Sequence, residues 1–185
     1  MLRLCHELKR YSADLDFWFL LHGKDSDHFY RILRILEKYY EITDAQLKHY
    51  SMLFELRSPA YPKRLKIEIR RKAKDWDYQE KIAFSWYSNR QVVVKAFTLE
   101  QSMLNKVQAF IERGEIRDCF DIEFLLRRGV QLPYLEEESK EKFIEKLQGF
   151  KEKDYKVKLG SILEEDMRRY YISEGFVYLK EKLLS

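Results

Sequence analysis

Apolar and polar residues alternate from Ala13 to Leu20: Leu15, Phe17 and Phe19 fall on one face, and Asp14, Asp16 and Trp18 on the other. That period of two is the signature of a strand. His22-Gly23-Lys24-Asp25 reads as a turn. From Asp27 to Tyr40 the apolar positions Phe29, Ile32, Leu33, Leu36 and Tyr40 recur at helical spacing and predict an amphipathic helix. Alternation returns over residues 49–57, with Met52, Phe54 and Leu56 on one face, and Pro59 and Pro62 then mark a loop. Arg64–Lys72 is the clearest strand: Leu65, Ile67 and Ile69 face a core, while Lys66, Glu68 and Arg70 face away. A further strand is expected near Gln91–Phe97, where the consecutive Val92, Val93 and Val94 suggest burial on both faces.

After Phe97 the pattern becomes helical to the end. Thr98 with Gln101 makes a capping box, Leu99, Met103, Val107, Phe110 and Ile111 form a stripe, and Gly114 stops the helix. A second helix is expected from Arg117 to Arg128, ending at Gly129, and two or three more fill Leu135–Leu184. No internal repeat or low-complexity stretch interrupts the chain. The expected architecture is α+β: a small mixed sheet with helices over residues 1–97, followed by a helical C-terminal part over residues 98–185.

Composition narrows the function classes. The 185 residues suit one domain with an appendage and can bury a core without a disulfide or metal staple. Cys5 and Cys119 lie far apart and outside any zinc spacing, which fits a reducing cytoplasm. No segment approaches the roughly 20 apolar residues of a membrane span, and Met1-Leu2-Arg3-Leu4-Cys5-His6-Glu7 has no secretory pattern. The formal charge of +4 permits a nucleic-acid partner without demanding one.

Candidate chemistry lies on the strands first. Asp14-x-Asp16 places two carboxylates on one face, roughly 7 Å apart along the backbone. Two like charges so placed call for a cation, and Mg²⁺, which shares hard oxygen ligands with phosphates, suits them. The plainer alternative is a solvated strand end. Glu68, set among Lys66, Arg70, Arg71 and Lys72, would complete a three-carboxylate cluster if its strand lies beside the first. The basic residues around it would attract a triphosphate or an RNA backbone; alternatively they form a salt-bridge ladder. Trp18 shares the aspartate face and is placed either to stack on a base or to pack under a loop. On the helices, Lys106 sits among core positions and needs a carboxylate or a phosphate. Asp121, hemmed by Phe120, Ile122, Phe124 and Leu125, needs a partner in turn, for which Lys106 and Arg117 are candidates. Asp118 precedes it by one helical turn. A purely structural ion pair joining two helices is the competing account. The four histidines and two cysteines show no metal or triad spacing.

These residues resemble a known family. Arg10-Tyr11-Ser12-Ala13-Asp14-Leu15-Asp16-Phe17 is similar to the R-x-S-x-DLDF segment of the AbiEii/AbiGii toxin family of nucleotidyltransferases. Leu65-Lys66-Ile67-Glu68-Ile69 looks like its third-carboxylate strand, and Thr98–Gly114 resembles its lysine-bearing helix. Arg117-Asp118-Cys119-Phe120-Asp121-Ile122 is similar to its R-D-x-x-D-[IL] signature. Leu159–Leu163 and Phe176–Leu183 fit the family's tail. The resemblance implies a nucleotidyltransferase fold and Mg²⁺-dependent transfer of a nucleotide from an NTP to an acceptor, RNA and notably tRNA. It also implies a cytoplasmic toxin with a cognate antitoxin, usually a transcriptional regulator encoded alongside. By the same resemblance Asp14, Asp16 and Glu68 would hold the metal and, with Asp121, act in catalysis. Ser12, Lys106, Asp118 and Arg70 would serve nucleotide binding.

The family's Gly-Gly-Ser/Thr motif, which cradles the triphosphate at a helix N-terminus, does not occur before these residues. The sequence begins about where the family's following helix should be running. A late start or a truncated relative would account for this, and a truly truncated chain is expected to be poorly active and to expose a sheet edge. Three accounts therefore stand: an Mg²⁺-dependent nucleotidyltransferase toxin, a truncated non-catalytic binding module of the same fold, and a structural α+β domain with Glu68 far from Asp14.

Overall fold

The computed structural model describes residues 1–18, 25–59, 61–71 and 76–184. Along the chain run α1 (Leu2–His6), β1 (Asp14–Trp18), α2 (Asp25–Leu36), β2 (Glu41–Leu47), β3 (Ser51–Ser58), β4 (Tyr61–Arg70), β5 (Tyr78–Ser85) and β6 (Ser88–Phe97). They are followed by α3 (Leu99–Arg113), α4 (Ile116–Arg127), α5 (Glu137–Gln148), a π-helical turn (Asp154–Leu159), a 3-10 turn (Gly160–Ile162), α6 (Glu165–Ser173) and α7 (Val177–Leu184). The chain divides into two compact units. One is Ser12–Asp75; the other joins Met1–Tyr11 to Trp76–Ser185.

The first unit is a four-stranded mixed sheet of order β1-β4-β3-β2, in which β1 runs parallel to β4 and the other neighbours are antiparallel. Cross-strand pairing sets Met52 opposite Ile69, Phe54 opposite Ile67 and Leu56 opposite Leu65, so one sheet face is continuously apolar. Phe29, Ile32, Leu33 and Leu36 of α2 close that face, with the Phe29 and Phe54 rings stacked at 5.1 Å. The strand expected over 13–20 is observed at Asp14–Trp18. Residues 19, 20 and 22–24 of the expected strand and turn, and Lys72 at the end of the next strand, lie outside the described residues. Phe17, on the apolar face read with Leu15, is exposed, because β1 is an edge strand.

The pattern over residues 27–40 overstates the helix. The helix ends at Leu36, and Tyr39 and Tyr40 donate their amides back to the Leu36 carbonyl in a closing turn. β2 then follows, where no strand was expected. A bulge between Ile42 and Asp44 explains this: one extra residue shifts the phase, so that Ile42 and Ala45, odd-spaced, both reach the core. The loop expected around Pro59 and Pro62 is shorter than read. β3 extends to Ser58 and β4 begins at Tyr61, so Pro62 stands at the start of a strand, where proline is tolerated.

In the second unit β5 and β6 form an antiparallel ribbon. Val92 and Val93 are exposed rather than buried on both faces, since a two-stranded ribbon has no layers to cover both sides. The helices enclose a core of Met103, Val107 and Phe110 from α3, Phe120, Ile122 and Leu125 from α4, Phe143 from α5, and Phe176 and Leu179 near the C-terminus. Leu2 and Leu8 of the N-terminal segment join it. Among the described residues no helix is long and apolar enough to cross a membrane.

The helix stops follow the expected chemistry. Thr98 accepts the Gln101 amide at 3.1 Å, while the Gln101 side chain accepts from the Asp77 amide instead of closing the box on Thr98. Gly114 adopts φ 68°, the left-handed region that a side chain resists. Thr98→Ala and Gly114→Ala are each expected to cost about 1–2 kcal/mol, read as a lower urea midpoint with an unchanged slope. The Gly114 effect is backbone strain, because a Cβ there would meet only the Lys146 side chain at 3.4 Å.

Candidate functional site

The parallel register of β1 and β4 pairs Asp14 with Lys66, Asp16 with Glu68 and Trp18 with Arg70. Side-chain alternation puts all six on the sheet face opposite the apolar one. Asp14, Asp16 and Glu68 therefore share one face, and the account that separates Glu68 from Asp14 is removed. The details are local. Ser12 bonds across its own turn, donating Oγ–H to the Asp14 carbonyl and accepting the Asp14 amide. Lys66 Nζ lies 3.2 Å from Glu68 Oε2, and the Glu68 side chain is 24% exposed. Arg70 spreads over the Trp18 ring at 5.2 Å, so Trp18 stacks on a guanidinium.

The donor set fits Mg²⁺ in type and in face: three carboxylates of hard oxygen, open to solvent, on adjacent strands. Among the described residues these oxygens are not drawn into a ready-made three-ligand cluster, and the Lys66 pairing must open for Glu68 to take part.

The helical unit holds a second constellation. Lys106 of α3 lies 3.2 Å from Asp118 and 2.6 Å from Asp121 of α4. Arg10 clamps Asp121 with two bonds of 2.6 and 2.8 Å, and Arg113 clamps Asp118 with two of 2.8 Å. Both aspartates are fully buried. Burial works against the charge of Asp121, yet hydrogen bonds and attraction from Arg10 and Lys106 outweigh it and hold its carboxyl below the usual range. Three cations against two carboxylates leave one positive charge in excess, with Lys106 part-exposed at the middle of the chain of bonds. In this geometry Asp121 orients Lys106 and Arg10. The neighbouring Cys119 thiol is pushed well up by burial and stays protonated.

Of the partners weighed for Asp121 in the sequence, Lys106 is in contact. Arg10 and Arg113 carried no assigned role, although Arg10 stands in the motif just before Asp14. Glu123 was missed altogether. It is fully buried and accepts from the Tyr171 hydroxyl at 3.0 Å, the Leu179 amide at 3.2 Å and the Arg127 guanidinium at 3.0 Å. Its signal was present: a second charge, two residues after Asp121, inside the otherwise apolar run Phe120–Leu126.

A family model described as "Nucleotidyl transferase AbiEii toxin, Type IV TA system" matches residues 1–173. The chain belongs to this AbiEii family. The fold agrees: a solved structure titled "Crystal structure of JHP933 from Helicobacter pylori" superposes with a TM-score of 0.51 at 20% identity, covering 99% of this chain and 82% of that one. At that identity the likeness speaks for the α+β fold alone. No curated protein matches. The AbiEii assignment makes this a nucleotidyltransferase-toxin family member, and it rests on nearly the whole chain, including both carboxylate strands and the Lys106–Asp121 network.

Proposed function

We propose that this AbiEii-family chain transfers a nucleotide from an NTP to an RNA acceptor, as the toxin of a toxin–antitoxin pair. The observation that supports it most is the β1–β4 register, with Asp16 beside Glu68 and Asp14 on the same face. On this reading Asp14, Asp16 and Glu68 hold Mg²⁺, which when bound supplies charge neutralisation for the phosphates and lowers the barrier to in-line displacement. The rest falls to the chain's own side chains. Lys66 is displaced from Glu68 and, with Arg70, meets the triphosphate charge. Ser12 keeps the backbone entering Asp14 in one conformation. Lys106, braced by Asp118 and Asp121, is the kind of fixed cation that binds a phosphate. The partner is a cognate antitoxin, a transcriptional regulator in the usual arrangement.

The test is calorimetric titration with ATP, CTP, GTP and UTP in Mg²⁺. At least one is expected to bind, with affinity at least about tenfold weaker, ~1.4 kcal/mol, in an Asp14→Ala/Asp16→Ala double variant. The Lys66–Glu68 pair at 3.2 Å favours the second reading, a non-catalytic module of the same fold. A folded wild-type chain that binds no nucleotide would decide for it.

A further inference from the structure

His6 ends α1 with 7% of its surface exposed, and its Nε2 is buried with no hydrogen-bond partner. Buried polar groups are nearly always paired, so an orphaned imidazole nitrogen calls for a reason. Among the described residues, the charges that face it are positive: Lys81 from β5, along which α1 packs, Arg128 from the end of α4, and the Met1 amino group from the start of α1. Arg128 is held in place, because it donates to the His6 carbonyl at 2.6 Å and lies over the Phe124 ring at 5.2 Å. A metal does not account for the imidazole, since no cluster of carboxylates, thiols and imidazoles stands ready for one among the described residues. Nor does a ligand cleft: His6 lines neither of the two that its neighbour Glu7 borders.

The segment around His6 is docked on both sides of it. Leu2 before it and Leu8 after it enter the helical core. The Tyr11 amide donates to the Ile162 carbonyl at 2.8 Å, and Arg10 grips Asp121. Between these anchors the backbone is strained: Glu7, directly after His6, holds φ 58°, in the left-handed region that a side chain resists.

We infer that His6 is a pH-sensitive latch: neutral, it lets residues 1–11 dock on β5 and the end of α4, and protonated in mild acid it undocks them. A proton on this ring would be a further positive charge, buried among cations with no carboxylate to receive it. The sign follows. Burial, then Lys81 and Arg128, hold the docked imidazole below its ordinary 6.5. As pH falls through 6.5 the undocked segment takes up the proton first. Docking is therefore fully favoured above that value and weakens progressively down to the docked one. Asp121 titrates below 3.8, so the Arg10–Asp121 pair is still charged while the latch opens. Undocking withdraws Arg10 and leaves Lys106 as the cation that still holds Asp121. The latch goes beyond nucleotide transfer and does not depend on it.

The experiment is hydrogen exchange of the full chain, followed by NMR at about pH 7.5 and 5.5, with each rate divided by its intrinsic value. Protection of the Leu8 and Tyr11 amides is expected to fall at least about threefold in acid, within the ceiling of about tenfold that one proton allows over that interval. At both pH values it should stay below the protection of α3 and α4, the mark of a segment that opens by itself. His6→Phe fills the site with a ring that cannot titrate and should remove the pH response. Lys81→Glu supplies the missing counter-charge and should shrink it. In wild type the His6 ring, followed by its carbon-bound protons, should titrate below 6.5. Equal protection of Tyr11 and the two helices would mean that the segment leaves only when the whole unit unfolds, and overturns the inference. So does unchanged protection in wild type, a His6 that titrates at or above 6.5, or an undiminished response in His6→Phe or Lys81→Glu.

Discussion

Asp121→Ala is expected to destabilise the helical unit by about 3–5 kcal/mol. The carboxylate is fully buried and receives two bonds from Arg10 and one from Lys106. Its removal leaves Arg10 facing a cavity without that counter-charge and Lys106 with Asp118 alone, and the uncompensated charge is the main cost. Replacing Arg10 and Lys106 by methionine together with Asp121→Leu should return most of the loss, because the charges then disappear as a set. The pH dependence carries the same signature. The folded carboxyl titrates below the ordinary value of 3.8, so the charged form contributes its stability at all pH values above that. As pH falls below about 3.8 the unfolded chain binds the proton first, and the contribution is lost on the way down to the folded value. The gap between wild type and variant should therefore narrow in acid. Urea unfolding followed by circular dichroism, at neutral pH and near pH 3, reads both effects. A neutral-pH difference under about 1 kcal/mol would mean that the network is solvated and does not lock α3, α4 and the N-terminal segment together.

Glu123→Leu should have the second largest effect, about 3 kcal/mol, with a local character. Glu123 is the common acceptor for Tyr171 of α6, the Leu179 amide of α7 and Arg127 of its own helix. Burial and the negative charge of Glu123 push the Tyr171 hydroxyl far above its ordinary range, so it stays a donor at every working pH. Without the carboxylate, the buried Leu179 amide and Tyr171 hydroxyl lose their acceptor. Hydrogen exchange should show the last two helices opening ahead of α3 and α4. Uniform exchange across all helices in the variant would contradict an anchoring role. Glu123→Gln, which keeps one acceptor oxygen, should sit between the two.

What could be read from the sequence follows from how local each signal is. The alternation of β4 and the Asp14-x-Asp16 spacing are short-range, and the sheet places them as their period demands. Gly114 and the Thr98 half of the capping box are likewise local and appear as expected, whereas the Gln101 side chain turns to the Asp77 amide instead of closing the box. β2 was hidden because its bulge breaks the period of two. β5 was hidden because Tyr78, Glu80, Ile82 and Phe84 share a face that mixes charge with apolar groups. The ion-pair network was half legible: Lys106 and Asp121 looked out of place on their helices, but Arg10 meets Asp121 across 111 residues, and no periodicity carries that distance. The family resemblance brought Asp14, Asp16 and Glu68 to one strand pair. It could not show that Glu68 is held by Lys66.

The order in which the chain is made matters for the helical unit. Its first eleven residues are synthesised before the sheet unit, and the rest only after it. The sheet unit holds all its strands once residue 75 has emerged and can close on itself. Leu2, Leu8 and Arg10 must wait, their partners on α3 and α4 still unmade. During that interval the apolar and cationic segment of residues 1–11 is uncovered, open to chaperones and proteases. A nascent chain stalled between residues 75 and 98 would therefore lose its first ten residues to a protease far faster than the finished protein does.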